Sequence, residues 1–160
     1  MNLIGNIAGE ICKIILPVNE EIFFGNSKSE LSLCTLSSMK LLKEISSSVL
    51  MTKISVAGRL LSENKGIDAL VRHIISNKII KIIIICGKDT IGHKPGHSLF
   101  NLYRNGIEHD GRIIGSSSPD PLVTLTYEEV SKFQNQVKLI DNIGETNADK
   151  IKSLIKSIRI

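Results

Sequence analysis

The chain has 160 residues, 42% of them hydrophobic, and no long low-complexity tract, which suits one compact domain with a substantial core. Aromatic residues make up only 4% and tryptophan is absent, so the core is built from Ile, Leu and Val and a stacking platform for nucleic-acid bases or sugars is excluded. The formal net charge of +4 and pI near 9.0 permit an anionic partner, but Lys and Arg are dispersed without a dense block, as on an ordinary solvated surface. No nucleic-acid partner is expected.

Cys12, Cys34 and Cys86 are odd in number and form no C-x-x-C pair, which describes reduced core thiols in a cytosolic protein. The longest apolar runs are broken by Lys81, or by Glu10 and Lys13. They fall short of the ~20 residues a membrane-crossing helix needs. The N-terminus lacks a basic region ahead of an uninterrupted apolar stretch, so it is a poor signal peptide, and a soluble cytoplasmic location is expected.

In chain order, residues 1–30 read as an N-terminal arm or small hairpin, because Gly5, Gly9 and Pro17 interrupt short apolar pieces. Residues 31–160 read as a single Rossmann-like unit. A strand is expected over Leu31–Leu36, then a helix capped by Ser37 or Ser38 and weakened by the triplet Ser46–Ser48. A second strand is expected over Ile54–Ala57, followed by a polar connection, Gly58 to Gly66. Ile67, Leu70, Val71, Ile74 and Ile75 then recur with helical spacing, and Asn77 can end that helix.

Lys81-Ile-Ile-Ile-Ile-Cys86 has no polar–apolar alternation, which predicts an interior strand buried on both faces. A glycine-rich loop follows, with Gly87, Gly92, Pro95 and Gly96, and then a short helix over Ser98–Tyr103 that Gly106 can end. Arg112–Ile114 is expected as a short fourth strand, and Gly115–Pro121 as a loop. Thr126 and Glu129 have capping-box spacing for a helix to about Gln134. Val137–Ile140 reads as a fifth strand, and Asn147 as the cap of a last helix with Ile151, Leu154, Ile155 and Ile158 on one face. Strands alternating with helices predict an α/β, Rossmann-like three-layer sandwich with a mainly parallel central sheet.

Ligands of open parallel sheets lie outside the carboxyl ends of the strands, which is where His93 and His97 are expected. Their i, i+4 spacing would suit zinc on a helix, but Pro95 and Gly96 argue against helix between them. A phosphate cradle would rest on glycine content alone, since neither G-x-x-x-x-G-K-[ST] nor G-x-G-x-x-G occurs. By itself, His93 also reads as a plain solvent-exposed loop histidine.

Cys34-Thr-Leu-Ser-Ser38, Val56-Ala-Gly-Arg-Leu-Leu-Ser-Glu-Asn-Lys-Gly-Ile67, His73-Ile-Ile-Ser-Asn77, Ile85-Cys-Gly-Lys88, Gly92-His93, Gly96-His-Ser98, Asn105-Gly106, Gly111-Arg-Ile-Ile-Gly115 and Phe133-Gln-Asn-Gln-Val-Lys-Leu-Ile-Asp141 occur in that order. Together they resemble the A subunit of tetrahydromethanopterin S-methyltransferase, the corrinoid-carrying component of a methanogen complex, over about Leu31 to Gly144.

The resemblance implies a cobamide at the carboxyl edge of the sheet, with His93 as axial cobalt ligand and catalytic residue. It implies cob(I)amide as acceptor of a methyl group from a methyl-pterin, passed on to a thiol such as coenzyme M. The partners would be methyl-pterin-dependent and thiol-dependent methyltransferase proteins. Thr35, Ser37, Glu63, Asn64, Gly87, Gly92, Gly96, His97, Ser98 and Ser117 would lie near the cobamide, with Asp89 or Asp120 as carboxylate partner of His93.

Three departures stand beside the resemblance. The membrane-integral form of the family ends in a transmembrane helix that this sequence lacks, so membrane anchoring is not expected. His97 stands where the family commonly has Gln, and the Gly115–Pro121 loop differs from a small, apolar one, which points to a changed corrinoid or methyl donor. The competing readings are a non-catalytic cobamide-binding, storage or regulatory protein, and a zinc- or nucleotide-binding Rossmann-like domain.

Overall fold

In a computed structural model, which describes residues 21–158, the isoleucine run forms strand β4, Ile82–Gly87, buried along nearly its whole length. Ile83 and Ile85 enter the core on one side, Ile84 and Cys86 the core on the other, so the absence of alternation reports burial on both faces. Parallel neighbours flank it, β2 (Leu31–Cys34) on one side and β5 (Lys138–Ile143) on the other. Strand β3 (Val56–Gly58) lies beyond β2, and β1 (Ile22–Phe24) pairs with it antiparallel as the outer strand. The sheet order is β1-β3-β2-β4-β5. Residues 1–20, most of the expected arm, lie outside the described residues.

The helices form two layers. α1 (Met39–Ser46) and α5 (Ala148–Ser157) cover one face through Leu42, Ile45, Ile151 and Ile155. α2 (Lys65–Ser76), α3 (Pro95–Asn105) and α4 (Tyr127–Gln136) cover the other through Ile67, Val71, Leu99, Leu102 and Phe133. The result is the expected three-layer α/β sandwich. The Thr126–Glu129 capping box is complete, and the Asn147 side chain accepts from the amides of Asp149 and Lys150. Cys34 and Cys86 are buried, and burial pushes the Cys86 thiol pKa well up. Among the described residues, no helix is long and apolar enough to cross a membrane.

Four local expectations are corrected. Arg112–Ile114 is not a sheet strand: it makes only isolated bridges, Ile107 with Ile113 and Arg112 with Leu122. It sits between Gly111 and Gly115, both at positive φ, and these turns fold it back on its own loop. Helix α3 starts at Pro95 rather than Ser98, because proline at the first helical position gives up only an amide that has no partner there. Ser38 occupies the cap position of α1 without capping it; its Oγ accepts from the Lys88 amide instead. Finally, the serine triplet leads into a 3-10 turn, Val49–Lys53, so β3 starts at Val56. The hydroxyls of Ser46 and Ser47 donate to the Lys43 carbonyl and that of Ser48 to Ile45, competing with the helix for its last carbonyls.

The long connection from α3 to α4 is tied to α2. The buried Asp68 carboxylate accepts from the amide and hydroxyl of Thr124. The Arg72 guanidinium donates to the Thr124 carbonyl and to Glu129, and that hydrogen bond, with the Thr126 amide, holds the Glu129 carboxyl below its usual range.

Gly87, which ends β4, and Gly92, in the loop that follows, should respond differently to a methyl group. At Gly92, φ +86, nothing lies within 4 Å of an added Cβ, so Gly92→Ala should cost only the left-handed penalty of about 1 kcal/mol. At Gly87, φ +80, the Cβ would collide with the Thr35 carbonyl oxygen and Ser38, so Gly87→Ala should cost about 3 kcal/mol or more. Urea denaturation of the two variants checks the difference.

Candidate functional site

The chain runs outward from β2 to β3, then back across β2 to β4, which puts the topological switch point, the usual ligand crevice, between β2 and β4. Here that crevice is stitched closed. The Ser37 amide and hydroxyl donate to the Lys88 carbonyl, at 3.0 and 2.7 Å, and the Lys88 amide donates to Ser38 Oγ. Gly87 fits against Thr35, which is fully buried with its hydroxyl directed at the Gly58 carbonyl. The loops that follow β3 and β4 meet instead at Glu63 and His93.

Asp89 sets the shape of the second loop. Its Oδ1 accepts from the amides of Thr90 and Gly96, and its Oδ2 from the amide of His97, the last two at 2.9 Å. A carboxylate therefore already occupies the amino end of α3, which removes the basis for a phosphate cradle there. A Cβ on Gly96 would come within 3.0 Å of both Leu36 and Ile143, so this glycine seats the helix on the core. Gly92 and Lys94 have left-handed backbone, and His93 projects between them ahead of α3. His93 and His97 do not share a helix face, since only His97 lies within the helix.

The His93 ring is 59% exposed, and its Nδ1 lies 3.0 Å from Oε2 of Glu63, whose side chain is 2% exposed. The second Glu63 oxygen accepts from the Asp120 amide at 3.2 Å. An ionised carboxylate can only accept, so with Glu63 ionised Nδ1 is the donor of this contact, and in the neutral ring that leaves the lone pair on Nε2. The carboxylate partner expected at Asp89 or Asp120 is thus Glu63. Asp89 is committed to the helix amides, and the Asp120 carboxylate accepts from Asn64 Nδ2 at 2.9 Å. Sequence reading put Glu63 in the polar connection after β3 but missed this contact, which joins residues thirty positions apart. The available signal was an acid following the apolar pair Leu60-Leu61 at the mouth of a predicted crevice loop.

Other expected residues brace this frame. Asn64 caps α2 through Oδ1, and Ser62 Oγ accepts from the Gly66 amide. His97 Nε2 lies 3.3 Å from both the amide and the hydroxyl of Ser117, so its lone pair holds the Gly115–Pro121 loop rather than facing outward. Ser98 is fully buried, with Oγ 2.7 Å from Ser116 Oγ and 2.6 Å from Ser118 Oγ. Thr90 Oγ1 is buried without a hydrogen-bond partner, and Ile91 is 96% exposed beside His93. Among the described residues, no cluster of three or more His, Cys, Asp or Glu could hold a metal ion.

The architecture is that of a Rossmann-like protein presenting one carboxylate-oriented imidazole above the carboxyl ends of its sheet. The family described as the A subunit of tetrahydromethanopterin S-methyltransferase matches residues 15–159, and the chain belongs to that family. It is 36% identical over 136 residues to a protein of Methanosarcina barkeri named as the A subunit of the "Putative methyltransferase Mtx", covering 84% of this chain and 65% of that one. It is 31% identical over 141 residues to the first form of the A subunit of tetrahydromethanopterin S-methyltransferase from Methanothermobacter thermautotrophicus, covering 87% of this chain and 57% of the relative. The chain thus spans less than two thirds of the length of these curated relatives.

The Glu63 contact predicts the protonation pattern of His93. Nitrogen-15 NMR of the histidine rings, taken where the ring is neutral, should show the Nδ1–H tautomer for His93 in the native chain. In Glu63→Leu the balance should move toward the Nε2–H form, since the acceptor at Nδ1 is gone.

Proposed function

We propose that the chain is a corrinoid-binding methyl carrier, with His93 Nε2 as axial ligand to the cobalt of a cobamide. The carrying observation is the exposed imidazole nitrogen whose opposite nitrogen is held by a buried carboxylate, in a chain of this family. The donor set fits: one neutral imidazole is a good transition-metal ligand, and a carboxylate on its far nitrogen raises its basicity and fixes the ring. The surroundings fit as well: nothing lies within 4 Å of a Cβ built on Gly92, next to His93 in the chain, and the exposed Ile91 offers an apolar surface.

When bound, the cobamide supplies a cobalt centre that takes a methyl group from a methyl-pterin, of the methyl-tetrahydromethanopterin type, and yields it to a thiol such as coenzyme M. The chain's own residues hold and orient. His93 donates its Nε2 lone pair and Glu63 keeps the proton on Nδ1. The Asp120 amide and the Asn64 side chain steady Glu63 and its loop, and Asp89 fixes the amino end of α3 behind the ligand loop. Gly92, Asn64 and Ser117 are assigned to the cobamide's periphery; Thr35, Ser37, Gly87, Gly96 and Ser98 support the strand-end loops beneath it. The transfer steps are assigned to separate methyl-pterin-dependent and thiol-dependent methyltransferase partners.

Reconstitution tests this reading. After incubation with cobalamin and removal of free ligand, the wild-type chain should keep a visible corrinoid spectrum. His93→Ala should lose it or shift its axial-ligand bands, and His97→Ala should keep it. Glu63→Gln should bind about 10-fold more weakly, the usual effect of removing a partner of a metal-bound histidine. Failure of the wild type to retain any corrinoid in either the oxidised or the reduced state would overturn the proposal.

A further inference from the structure

Strand β1 is the outer strand of the sheet, and its pairing with β3 decides which of its backbone groups are satisfied. The register sets Ile22 against Gly58 and Phe24 against Val56. Hydrogen bonds run from the Arg59 amide to the Glu21 carbonyl and from the Gly25 amide to the Ser55 carbonyl. In an antiparallel ladder alternate residues bond to one neighbour, so Glu21, Phe23 and Gly25 turn their amides and carbonyls toward β3. Ile22 and Phe24 turn theirs away from the sheet, where no strand among the described residues meets them.

The side chains of the same two residues are uncovered, with Ile22 54% and Phe24 74% exposed. Together with Leu70 and His73 of α2 they line a groove between that helix and the sheet edge. An open edge beside apolar side chains invites another strand, and native proteins cover it or blunt it with charge or proline. A strand reading Ile-Phe-Phe carries neither. The chain itself has the means to cover it, because residues 1–20 join β1 at Glu21, one residue before the open groups begin. Within them Ile11-Cys-Lys-Ile-Ile-Leu16 is rich in β-branched residues. Pro17-Val-Asn-Glu20 then separates it from β1 by a connection of ordinary hairpin length with proline and asparagine, both turn formers.

We propose that Ile11–Leu16 adds to the sheet as a further strand antiparallel to β1, its backbone pairing with Ile22 and Phe24 and its apolar side chains covering the groove beside α2. A tether this short holds the segment at high effective concentration, which favours it over a second copy of the chain. Lys13 then stands on the new outer edge, where lysine discourages further pairing.

Hydrogen exchange followed by NMR on the whole chain tests the pairing. The Ile22 and Phe24 amides should exchange at least about 100-fold more slowly than solvent-facing ones, at a rate independent of protein concentration. Nuclear Overhauser contacts should link Ile11–Leu16 to Ile22–Phe24. Ile14 and Ile15 are neighbours, so only one of them can turn its amide toward β1. At least one of Ile14→Pro and Ile15→Pro should therefore speed exchange at Ile22 and Phe24 about 10-fold or more, since proline removes the donor. Ile84 and Ile85 of β4 should stay protected in both variants. Fast exchange of Ile22 and Phe24 in the wild type, absence of the Overhauser contacts, protection that falls on dilution as pairing with a second copy would give, or unchanged protection in both proline variants would each overturn the proposal.

Discussion

A carboxylate withdrawn from water has to find its hydrogen bonds inside the protein, and Glu63 finds them in the His93 ring and the Asp120 amide. That requirement joins three loops remote in sequence: the one after β3, the one after β4, and the one ahead of α4. Removing the His93 ring would leave this buried carboxylate resting on the Asp120 amide, a larger loss than breaking an exposed ion pair. The site's geometry is therefore set by a need of the folded core, and the loop histidine inherits its orientation from it.

Helix α2 carries this arrangement at two levels. Its amino end positions Glu63 and Asn64, while Asp68 and Arg72 one and two turns further hold Thr124. The Gly115–Pro121 loop is thus fixed from both ends. Asp89 gives the β4 loop the same treatment by accepting amides from the first turn of α3. With the switch-point crevice closed between Ser37, Ser38 and Lys88, the β4 loop leans on the loop after β3 through His93 and Glu63. A general rule of open sheets locates the edge, and local hydrogen bonding decides where along it a ligand can rest.

What was legible in the sequence follows the range of the interactions involved. The isoleucine run of β4, the stripe of α2, the Thr126–Glu129 box and the Asn147 cap are local, and each formed as read. Ser38 failed as a cap because its hydroxyl serves a residue fifty positions away. Pro95 misled because proline breaks a helix interior yet suits its first position. Arg112–Ile114 has strand-like residues, but the glycines on either side turn it away from the sheet. At the site, the family likeness pointed to His93, whereas the partner of its second nitrogen emerged only when the loops were brought together.

The burial of Cys86 has an experimental use. It is fully enclosed, the next-to-last residue of β4 ahead of the loop that leads to His93, and its thiol resists ionisation. Alkylating reagents attack the thiolate and need access to it, so this position is silent while β4 stays paired. Motion confined to the ligand loop would leave it unlabelled, and separation of the helix layers from the sheet would expose it. Mapping modification at this one sulfur would therefore tell rearrangement of the loop apart from opening of the core, a distinction that light absorption by a bound cofactor does not make.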